Sequence, residues 1–583
     1  MPSALTFPGV YVEEIPSGVR PITGVSTANT AFVDYFRRGP MNVPTRITSL
    51  ADFDRTFGGI DAQSEASYGI AQYYLNGGSV AWVLRVAGGT GDNAPKKATL
   101  TFTGKTGDDT QDSLVFSAAS EGTWANKAIE VAAMHVTPDP DEEPPADPPP
   151  ADPPPADPPP ADPPPADPPP ADPSPARDEP FNIFVRELAL DANGQPVVDG
   201  TGAKVVLRFE AFRGLSMEAN SPNFVASALR GSELVTVRVA DPKQVENQPP
   251  VPAPPPTTTN GGPTGNPTRD SWFPLGNGSN GTVPASATDL LGASEEHLRT
   301  LDTIAPEVFN ILCLPAAARK GVEDTARKDI YDKALRYCIT KRAFLLVDIP
   351  GSVTTPAGMR RALNNITTDN HSAVYFPRLS MPDPLDGGQP RDVAASGTIA
   401  GIYGRTDVAR GAWKAPAGTE AVIVGADLAT VISDDQSGQL NPLGVNVLRN
   451  FPIFGNIVWG ARTLDGADTK ASEWKYIPVR RTALFIEESL FQALKWVVFE
   501  PNDEGLWAQI RLNVGAFMNN LFRQGAFQGR TSRDAYFVKV DKDTTTQNDI
   551  DNGIVNVVVG FAPLKPAEFV VLKIQQMAGQ VQV

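Results

Sequence analysis

The spacing of apolar residues changes along this chain and predicts a succession of helices and strands. Before residue 90, short helices ended by glycine are predicted in "SLADFDRTFGG" (49–59) and "SEASYGIAQYYLNGG" (64–78), and a buried strand in "SVAWVLRVAG" (79–88). Beyond residue 285 the prediction is helix, strand, helix, strand, in "DLLGASEEHLRTLDTIA" (289–305), "VFNILCLP" (308–315), "EDTARKDIYDKALRYCITK" (323–341) and "AFLLVDIP" (343–350). This alternation is typical of a mostly parallel sheet covered by helices.

Two further helices are predicted near 483–499 and 503–522. In the second, the apolar residues at helical spacing are Leu506, Ile510, Val514, Phe517 and Leu521. We expect Asn502 to be its N-cap, because Asp503 and Glu504 then lie at the positive end of the helix dipole. The chain closes with "NGIVNVVVGFAPLKPAEFVVLKIQQ", which predicts two strands separated by prolines.

Two low-complexity stretches interrupt these elements. Residues 138–180 contain a repeated "PPPAD" unit, and 241–284 are rich in Pro, Gly, Thr and Asn. Neither is predicted to bury enough apolar surface to offset the entropy of ordering. Between them, "FNIFVREL", "AKVVLRFEAF" and "ELVTVRVA", with a "DANG" turn, predict a small β-rich module inserted between two larger α/β parts.

Charge is spread unevenly over the 583 residues. The formal net charge is −17, and residues 138–180 alone hold twelve acidic side chains against one basic, which makes −11. The remainder has a mixed surface and no basic field of the kind that binds nucleic acid.

The same composition favours a soluble protein made in the cytoplasm. The start of the chain lacks the basic and apolar regions of a secretion signal, and no apolar run is long enough to span a membrane. Cys313 and Cys338 lie in apolar runs, so we expect both to be buried thiols in a reducing compartment.

The usual patterns of catalytic and metal-binding residues are missing from the sequence. It has no phosphate-binding loop, no C-x-x-C, no H-E-x-x-H, and its three histidines (His135, His297 and His371) are scattered. The segment "ASGTIAGIYGRT" (395–406) faintly resembles the histidine-bearing segment of subtilisin-like proteases, with a serine or threonine where the base is needed. We therefore expect no catalysis, no cofactor and no metal.

Long ordered motifs after residue 370 resemble one known family. They are "AVYFPRLSMPDPLDGGQPRDVAASGTIAGIYGRTDVARGAWKAPAG" (373–418), "LNPLGVNVLRNFPIFGNIVWGARTL" (440–464), the run 474–529, "AYFVKVD" (535–541) and 544–574. Earlier, "FPGVYVEE", "YLNGGSVAWVLRV" and "FRGLSMEANSPNFVASAL" (212–229) resemble parts of the same family. Over roughly three quarters of its length, the chain is thus similar to the tail sheath proteins of contractile bacteriophages and related injection systems.

The resemblance implies an α/β, multidomain fold. The expected parts, in chain order, are an N-terminal extended arm (1–20), an inner α/β portion (21–90), a β-rich outer insertion domain (91–284) that contains 138–180 and 241–284, a middle domain of subtilisin-like fold (285–435), a C-terminal sheath domain (436–562) and a C-terminal arm (563–583).

The resemblance also implies a structural function. Such sheaths stack as hexameric rings around an inner tube in a metastable extended state, and their contraction drives the tube through a target envelope. The implied partners are other copies of the chain, the inner tube protein, and baseplate and terminal cap proteins, with no nucleic acid and no membrane insertion. Assembly is expected in the bacterial cytoplasm, into a phage tail or an injection particle.

Two sets of contact residues follow from the resemblance. Arm strands that join neighbouring subunits are expected at both ends, at Val10, Tyr11, Val12, Glu13, Phe569, Val570, Val571, Leu572, Lys573 and Ile574. Polar contacts with the inner tube are expected from Asp503, Glu504 and Arg511. The alternative for the two ends is that each completes a sheet of its own domain. The alternative for Asp503, Glu504 and Arg511 is that they lie on a helix whose charged side chains contact only solvent.

Three other functions remain as alternatives: a non-contractile tube or fibre protein, a degenerate subtilisin-like hydrolase, and a proline-rich ligand formed by the "PPPAD" repeat. A polyproline II helix has three residues per turn, so successive aspartates of a five-residue repeat point in different directions around it. We therefore expect the repeat to be a solvated projection on the outer surface of a sheath.

Overall fold

The structure is a computed structural model that describes residues 20–106, 109–135, 181–191, 193–216, 219–240 and 272–574. These residues form a mixed α/β fold with several sheets, which confirms the predicted class. The low-complexity stretch 138–180, with its "PPPAD" repeat, lies outside the described residues, as does the part of the second stretch before residue 272.

The strands of the described residues are, in chain order, β1 (Thr30–Asp34), β2 (Thr45–Ile47), β3 (Ala81–Arg85), β4 (Pro95–Thr106), β5 (Asp109–Glu121), β6 (Ile129–His135), β7 (Phe181–Leu188), β8 (Val206–Leu215), β9 (Val235–Ala240), β10 (Phe273–Pro274), β11 (Ser279–Asn280), β12 (Ile311–Cys313), β13 (Phe344–Val347), β14 (Ser372–Phe376), β15 (Leu379–Pro382), β16 (Pro390–Val393), β17 (Asp427–Leu428), β18 (Val445–Phe451), β19 (Gly455–Val458), β20 (Tyr536–Lys539) and β21 (Val558–Phe561).

The α-helices of the same residues are α1 (Leu50–Phe57), α2 (Glu65–Leu75), α3 (Val225–Ala228), α4 (Ala287–Leu291), α5 (Glu296–Arg299), α6 (Asp324–Lys341), α7 (Pro356–Ala362), α8 (Ser396–Arg410), α9 (Asp434–Leu440), α10 (Ile477–Ala493), α11 (Glu504–Arg523), α12 (Ser532–Ala535) and α13 (Gln547–Asp551).

The described chain divides into two compact units. The larger holds residues within 1–36, 41–88 and 283–583, and the smaller holds residues within 37–40 and 89–282. Each unit has its own sheets and its own hydrophobic core.

An eight-stranded sheet forms the centre of the larger unit, in the order β19-β18-β14-β13-β12-β1-β3-β2. Its strands from β18 to β3 are parallel, and β19 and β2 are antiparallel edges. The parallel sheet predicted from the alternation of helices and strands is therefore confirmed. The sheet takes strands from the predicted inner portion (21–90) and also from 285–435 and 436–562.

Both faces of this sheet are buried, because successive strand residues point to opposite faces and nearly all of them are apolar. On one face α4, α6 and α7 pack against Val33, Leu312 and Val374. On the other face α1, α2 and α8 pack against Phe32, Cys313 and neighbouring residues. Cys313 and Cys338 are both buried and free, as the sequence predicts.

Helices α2 and α8 approach closely on the second face because glycines lie at their contact. A Cβ atom added to Gly397 would lie 2.2 Å from the carbonyl oxygen of Gly69. One added to Gly401 would lie 2.4 Å from the carbonyl oxygen of Tyr73. A larger residue at either position would force the two backbones apart.

The last helices of the larger unit form a separate layer. Helix α10 links the sheet core to a second core through Ile477 and Ile486. The apolar stripe predicted for α11, from Leu506 to Leu521, is buried in that second core, which confirms the helix and its orientation. Helix α10 begins six residues before the predicted 483, with Pro478 in its first turn, where proline is well tolerated.

The smaller unit consists of two antiparallel sheets, β10-β6-β7-β8 and β11-β4-β5-β9. Alternate residues of β6 and β7, among them Val131 and Ile183, fill a core between the sheets. The three strands predicted between 181 and 240 are present as β7, β8 and β9.

Two predictions made from the sequence for residues 241–305 are wrong. The helix predicted for 289–305 is broken, because Gly292 adopts a φ of 87° between α4 and α5. The low-complexity stretch 241–284 does contribute to a core: β10 and β11 pair with β6 and β4, and Leu275 is buried. Its last residues include "SWFPLG", whose apolar side chains are sufficient for local burial.

We predict that Gly397→Ala destabilises the larger unit. The added methyl group collides with backbone atoms of α2, and overpacking of this kind costs about 1–3 kcal/mol. The matched control is Gly515→Ala in α11, where an added Cβ atom meets nothing within 4 Å. Thermal unfolding should show a lower midpoint for Gly397→Ala, while Gly515→Ala should match or slightly exceed the parent protein. Equal midpoints for the two variants would contradict the close helix contact.

Candidate assembly surfaces

The last described residues form a segment without regular secondary structure, from Leu564 to Ile574. Immediately before it, Pro563 forms a β-bridge with Phe527. The strand predicted at 567–574 is therefore absent, and no strand of the described chain pairs with this segment. A strand is stabilised by hydrogen bonds to a neighbouring strand, so strand-forming residues alone do not produce one here.

Glu568 anchors this segment to the larger unit. Its carboxylate accepts two hydrogen bonds from the Arg462 guanidinium, from Nε at 2.6 Å and Nη2 at 2.7 Å, and one from the Tyr476 hydroxyl at 3.2 Å. Burial raises the pKa of Glu568, but the hydrogen bonds and charge of Arg462 outweigh this effect and hold it below its usual value. The anchor is therefore a charged pair at neutral pH.

Arg462 holds several other groups besides Glu568. Only 1% of its side chain is exposed, and its Nη1 donates to the carbonyl of Asn441 and to the carboxylate of Asp468, both at 2.9 Å. Its backbone N–H donates to Asn446 Oδ1 at 2.7 Å, and Asn446 lies in β18. The C-terminal segment is thus connected to an edge region of the central sheet.

Beyond the anchor, the segment presents apolar side chains to solvent. Phe569 is 74% exposed and Ile574 is 93% exposed, with similar values for the apolar residues between them, Val570, Val571 and Leu572. In an extended conformation, Val570, Leu572 and Ile574 would share one face, with Phe569, Val571 and Lys573 on the other. Contiguous exposed apolar runs are typical of surfaces that contact another molecule.

The N-terminal arm residues Val10, Tyr11, Val12 and Glu13 lie outside the described residues, so the arm prediction for that end stays a prediction. The first described residue, Arg20, packs against the second core of the larger unit. Its backbone N–H donates to Asn513 Oδ1 at 3.2 Å, and its guanidinium lies 4.5 Å from the ring centre of Trp496.

A two-stranded sheet, β20 with β21, lies beside α11. Its register pairs Tyr536 with Phe561 and Lys539 with Val558. Phe537 and Val558 are about half exposed. A sheet of two strands is marginal by itself, and within the described chain no third strand pairs with either of these.

The structure brings the predicted tube-contact residues together at the start of α11. Asp503 is the N-cap, with its carboxylate accepting from the backbone N–H of Leu506 at 2.8 Å. The exposed Glu504 forms an ion pair with Arg511 Nη2 at 2.7 Å, and Arg511 also donates to the carbonyl of Val540.

Asn502 is not the N-cap, which corrects the prediction from the sequence. Its side chain instead accepts from Trp507 Nε1 at 2.8 Å and donates to the carbonyl of Ile554 at 3.0 Å. Asn and Asp are about equally good caps, so the adjacent pair could not be resolved from residue type alone.

A groove of about 920 Å³ lies at the opposite end of α11, beside Gln524 and Gly525. The C-terminal segment forms one of its walls. Aromatic rings and cationic groups in its lining are Trp413, Trp459, Phe569, Arg410, Lys414 and Arg449. With Lys565 included, four basic and two acidic side chains line the groove, and one of the acids, Glu568, is already paired with Arg462.

The segment that faintly resembles subtilisin-like proteases forms the start of α8. The backbone N–H of Ser396 donates to Asp348 Oδ1 at 2.9 Å, and burial raises the pKa of Asp348. His371 Nδ1 lies 2.9 Å from Asp369 Oδ1, and its Nε2 lies 2.6 Å from Arg480 Nη2. His297 Nδ1 faces the carbonyl of Leu290, and the side chain of His135 lies outside the described ones. None of these contacts pairs a histidine with Ser396.

The described residues contain no group of three or more His, Cys, Asp or Glu side chains arranged to hold a metal ion. No helix among them combines the length and the apolar character needed to cross a membrane.

Reasoning from the sequence missed the Arg462–Glu568 anchor and the groove. An arginine in the apolar run "VWGARTL" was an available signal, because a cation in such a run needs a buried anionic partner. Its partner lies 106 residues away along the chain, and nothing in the sequence identifies that residue among the other acids.

Family models match the second half of the chain. Residues 292–464 match the phage tail sheath protein central domain, and residues 469–577 match the phage tail sheath C-terminal domain.

Two curated relatives are similar over part of their length. The tail sheath protein of Vibrio phage KVP40 is 26% identical over 168 residues, which cover 28% of this chain and 25% of the relative. The tail sheath protein of Burkholderia phage BcepMu is 28% identical over 179 residues, covering 30% and 36% of the two chains. The chain therefore matches only a quarter to little more than a third of the length of these relatives.

Solved structures are similar over nearly the whole chain. The sheath of an extracellular contractile injection system, the PVC sheath complex in the contracted state, has a TM-score of 0.52 at 19% identity and covers 98% of each chain. The sheath tail protein of Listeria innocua has a TM-score of 0.53 at 13% identity, covering 93% of this chain and 96% of its own. At these identities the likeness concerns the fold. Together with the two matched domains and the phage relatives, it shows that this chain belongs to the family of contractile tail sheath proteins.

Proposed function

We propose that this protein is the sheath subunit of a contractile tail or injection machine. In this proposal it polymerises as stacked hexameric rings around an inner tube, in a metastable extended state on a baseplate, and contracts to drive the tube through a target envelope. The observation that carries the proposal is the exposed apolar run at 569–574, which begins directly after the Glu568 anchor. An exposed apolar run of this length requires a partner to cover it.

The work of contraction comes from the free-energy difference between two packings of the same subunits. Subunits must change their relative positions without separating, and an arm that adds a strand to a neighbour's sheet allows this. At about 1 kcal/mol net for each hydrogen bond, a strand that makes roughly four to six bonds contributes about 5 kcal/mol. One such tether per subunit is sufficient to keep a ring connected while rigid bodies rotate.

The β20–β21 sheet is the acceptor that we propose for such a strand. It has two strands, half-exposed apolar residues on its surface, and edges to which a further strand can be added. The donors are residues 567–574 of one neighbour and 8–15 of another. Added strands would turn a marginal ribbon into a sheet of ordinary size.

The proposed partners are further copies of the chain, the inner tube protein, and baseplate and terminal cap proteins. Assembly takes place in the bacterial cytoplasm, and the product is a phage tail or an injection particle. The tube contact is assigned to Glu504 and Arg511, because their ion pair is exposed at the start of α11. Asp503 is left to its role as the helix cap.

We predict that Val570→Asp with Leu572→Asp prevents sheath assembly. The two charges would lie on the apolar face of the arm strand, where a neighbour's sheet covers them, and burial of unpaired charges is strongly unfavourable. Electron micrographs should show tubes for the parent protein and for the control Lys573→Ser, and only soluble subunits for the double variant. Normal tubes from the double variant would contradict the arm proposal.

We predict that Glu568→Gln releases the C-terminal segment at pH 7. Hydrogen bonds to charged groups contribute about 1.5–3 kcal/mol, so the ratio of released to anchored segment should rise about tenfold to a hundredfold. The measurement is the mobility of a spin label at Ala567→Cys, since the native Cys313 and Cys338 are buried. The control is Glu473→Gln at an exposed position of the same unit.

The same anchor should respond to acid. Because the pKa of Glu568 is lowered in the folded protein, its stabilisation is present above its usual value of 4.5 and is lost as the pH falls through the lower, folded value. The spin label in the segment should therefore become more mobile at acid pH in the parent protein and not in Glu568→Gln. Equal label mobility in the two proteins at pH 7 would show that the pair does not hold the segment.

We predict that Glu504→Lys weakens binding to the inner tube and leaves the fold intact. The substitution places a positive charge beside Arg511 at an exposed position. It keeps the helix cap at Asp503, and removal of that cap would cost about 1 kcal/mol of stability. Co-sedimentation with purified tube should fall for Glu504→Lys and stay unchanged for Glu473→Lys. Equal co-sedimentation of the two variants would remove Glu504 from the tube contact.

A further inference from the structure

The loop between α10 and α11 presents an apolar tip that its own chain leaves uncovered. Val498 is 63% exposed and Phe499 is fully exposed, and Glu500 follows them. Phe499 also has a φ of 71°, a left-handed conformation that is unusual for a bulky side chain. We call Val498, Phe499 and Glu500 the finger.

An exposed phenyl group on strained backbone is costly in two ways in an isolated subunit. Water contacts an aromatic surface that favours burial, and the backbone occupies a sparsely populated region. Residues of this kind persist where a binding partner makes use of their orientation. These two observations point to the finger as a candidate contact element.

The groove beside Gln524 and Gly525 has the chemistry that complements the finger. Trp413 and Trp459 provide aromatic surface for a phenyl group. Basic residues exceed acidic residues in its lining, and although Arg449 is paired with Asp434 at 2.7 Å, Arg410 and Lys414 remain as partners for Glu500 at the rim. Arg410 lies there in an exposed ion pair with Glu420, and exposed pairs of this kind are weak enough to exchange partners.

The finger of a subunit cannot occupy its own groove. The finger precedes the first residue of α11, and the groove lies beside the two residues that follow its last, Gln524 and Gly525. At about 1.5 Å per residue, the intervening helix of 20 residues is about 30 Å long. Contact between the two elements therefore requires two copies of the chain.

We propose that the finger of one subunit inserts into the groove of the next. Phe499 fills the space between the aromatic side chains, and Glu500 pairs with Arg410 or Lys414 at the rim. The contact is head-to-tail, because it joins two different surfaces, and such contacts produce rings or helical filaments rather than closed dimers. This inference rests on the proposed function as a polymer-forming sheath subunit, and it adds a contact that is separate from the terminal arms.

The test is disulfide cross-linking in assembled sheath. Glu500→Cys and Ser437→Cys place thiols on the finger and in the lining of the groove, while the native Cys313 and Cys338 are buried. Mild oxidation of sheath that contains both substitutions should give a ladder of covalently linked chains on a non-reducing gel. Each single variant should remain monomeric on that gel.

Three results separate the possible outcomes. Parent protein that forms no sheath under any condition would contradict the proposed function. Sheath that forms but gives no ladder, or that links Glu500→Cys to the tube protein instead, would overturn the finger contact alone. If the double variant assembles poorly, both single variants are assembled together in one sheath with an excess of parent protein. Oxidation of that mixed sheath should then give linked pairs of chains.

Substitution of the finger gives an independent measurement. Phe499→Ser should raise the concentration needed for assembly by about tenfold or more, the effect expected when a buried aromatic anchor is truncated. Val43→Ser, a change at another exposed apolar residue, is the control. Glu500→Arg should weaken assembly similarly, and Arg410→Glu in the same chain should restore it, since the two charges would again be opposite. Unchanged assembly of Phe499→Ser would contradict the proposal.

Discussion

The burial of Arg462 is the constraint on which the C-terminal end of this structure depends. A guanidinium removed from water must be matched by acceptors in fixed positions, because an unpaired buried charge would cost several kcal/mol. Its acceptors come from Asn441, Asp468 and Glu568, which are far apart in the sequence. The hydrogen bonds of this one cation therefore fix the turn after α9, the loop after β19 and the course of the segment 564–574 at the same time.

Elements with a strong local pattern could be predicted from the sequence. The apolar runs of β12 and β13 are buried on both faces of a parallel sheet, and the stripe of α11 needs only the helical period to be recognised. The break at Gly292 has a local signal, a glycine that ends a helix, which the prediction of one helix over 289–305 did not use. The burial of Leu275 could not be predicted in this way, because it depends on Ile129, which is distant in the sequence, and because composition averaged over a long stretch conceals a few well-placed apolar residues.

The candidate surfaces also differ in how much of them could be predicted from the sequence. The sequence of 567–574 predicts a strand, whereas in the structure the segment has no regular secondary structure and the apolar residues from Phe569 to Ile574 are exposed. In our proposal, the strand edge with which they would pair belongs to another molecule. The finger and groove could not be predicted, because one depends on a single left-handed residue and the other on side chains from separate elements. The sequence shows which residues favour a strand, but it does not show which distant residues lie together on one surface.

The position of the anchor also bears on how a sheath could transmit force. An arm transmits force only if its attachment to the rigid part of the subunit withstands the tension without the segment 564–574 detaching. Here Glu568, the residue directly before the exposed run, is hydrogen-bonded to Arg462, and the Arg462 backbone is hydrogen-bonded to Asn446 in β18 of the central sheet. Tension on residues 569–574 would therefore act on a bidentate arginine–carboxylate pair that is connected to the eight-stranded sheet. An arm fixed only by loose apolar contacts would yield first, and rotation of one subunit would then not move the next.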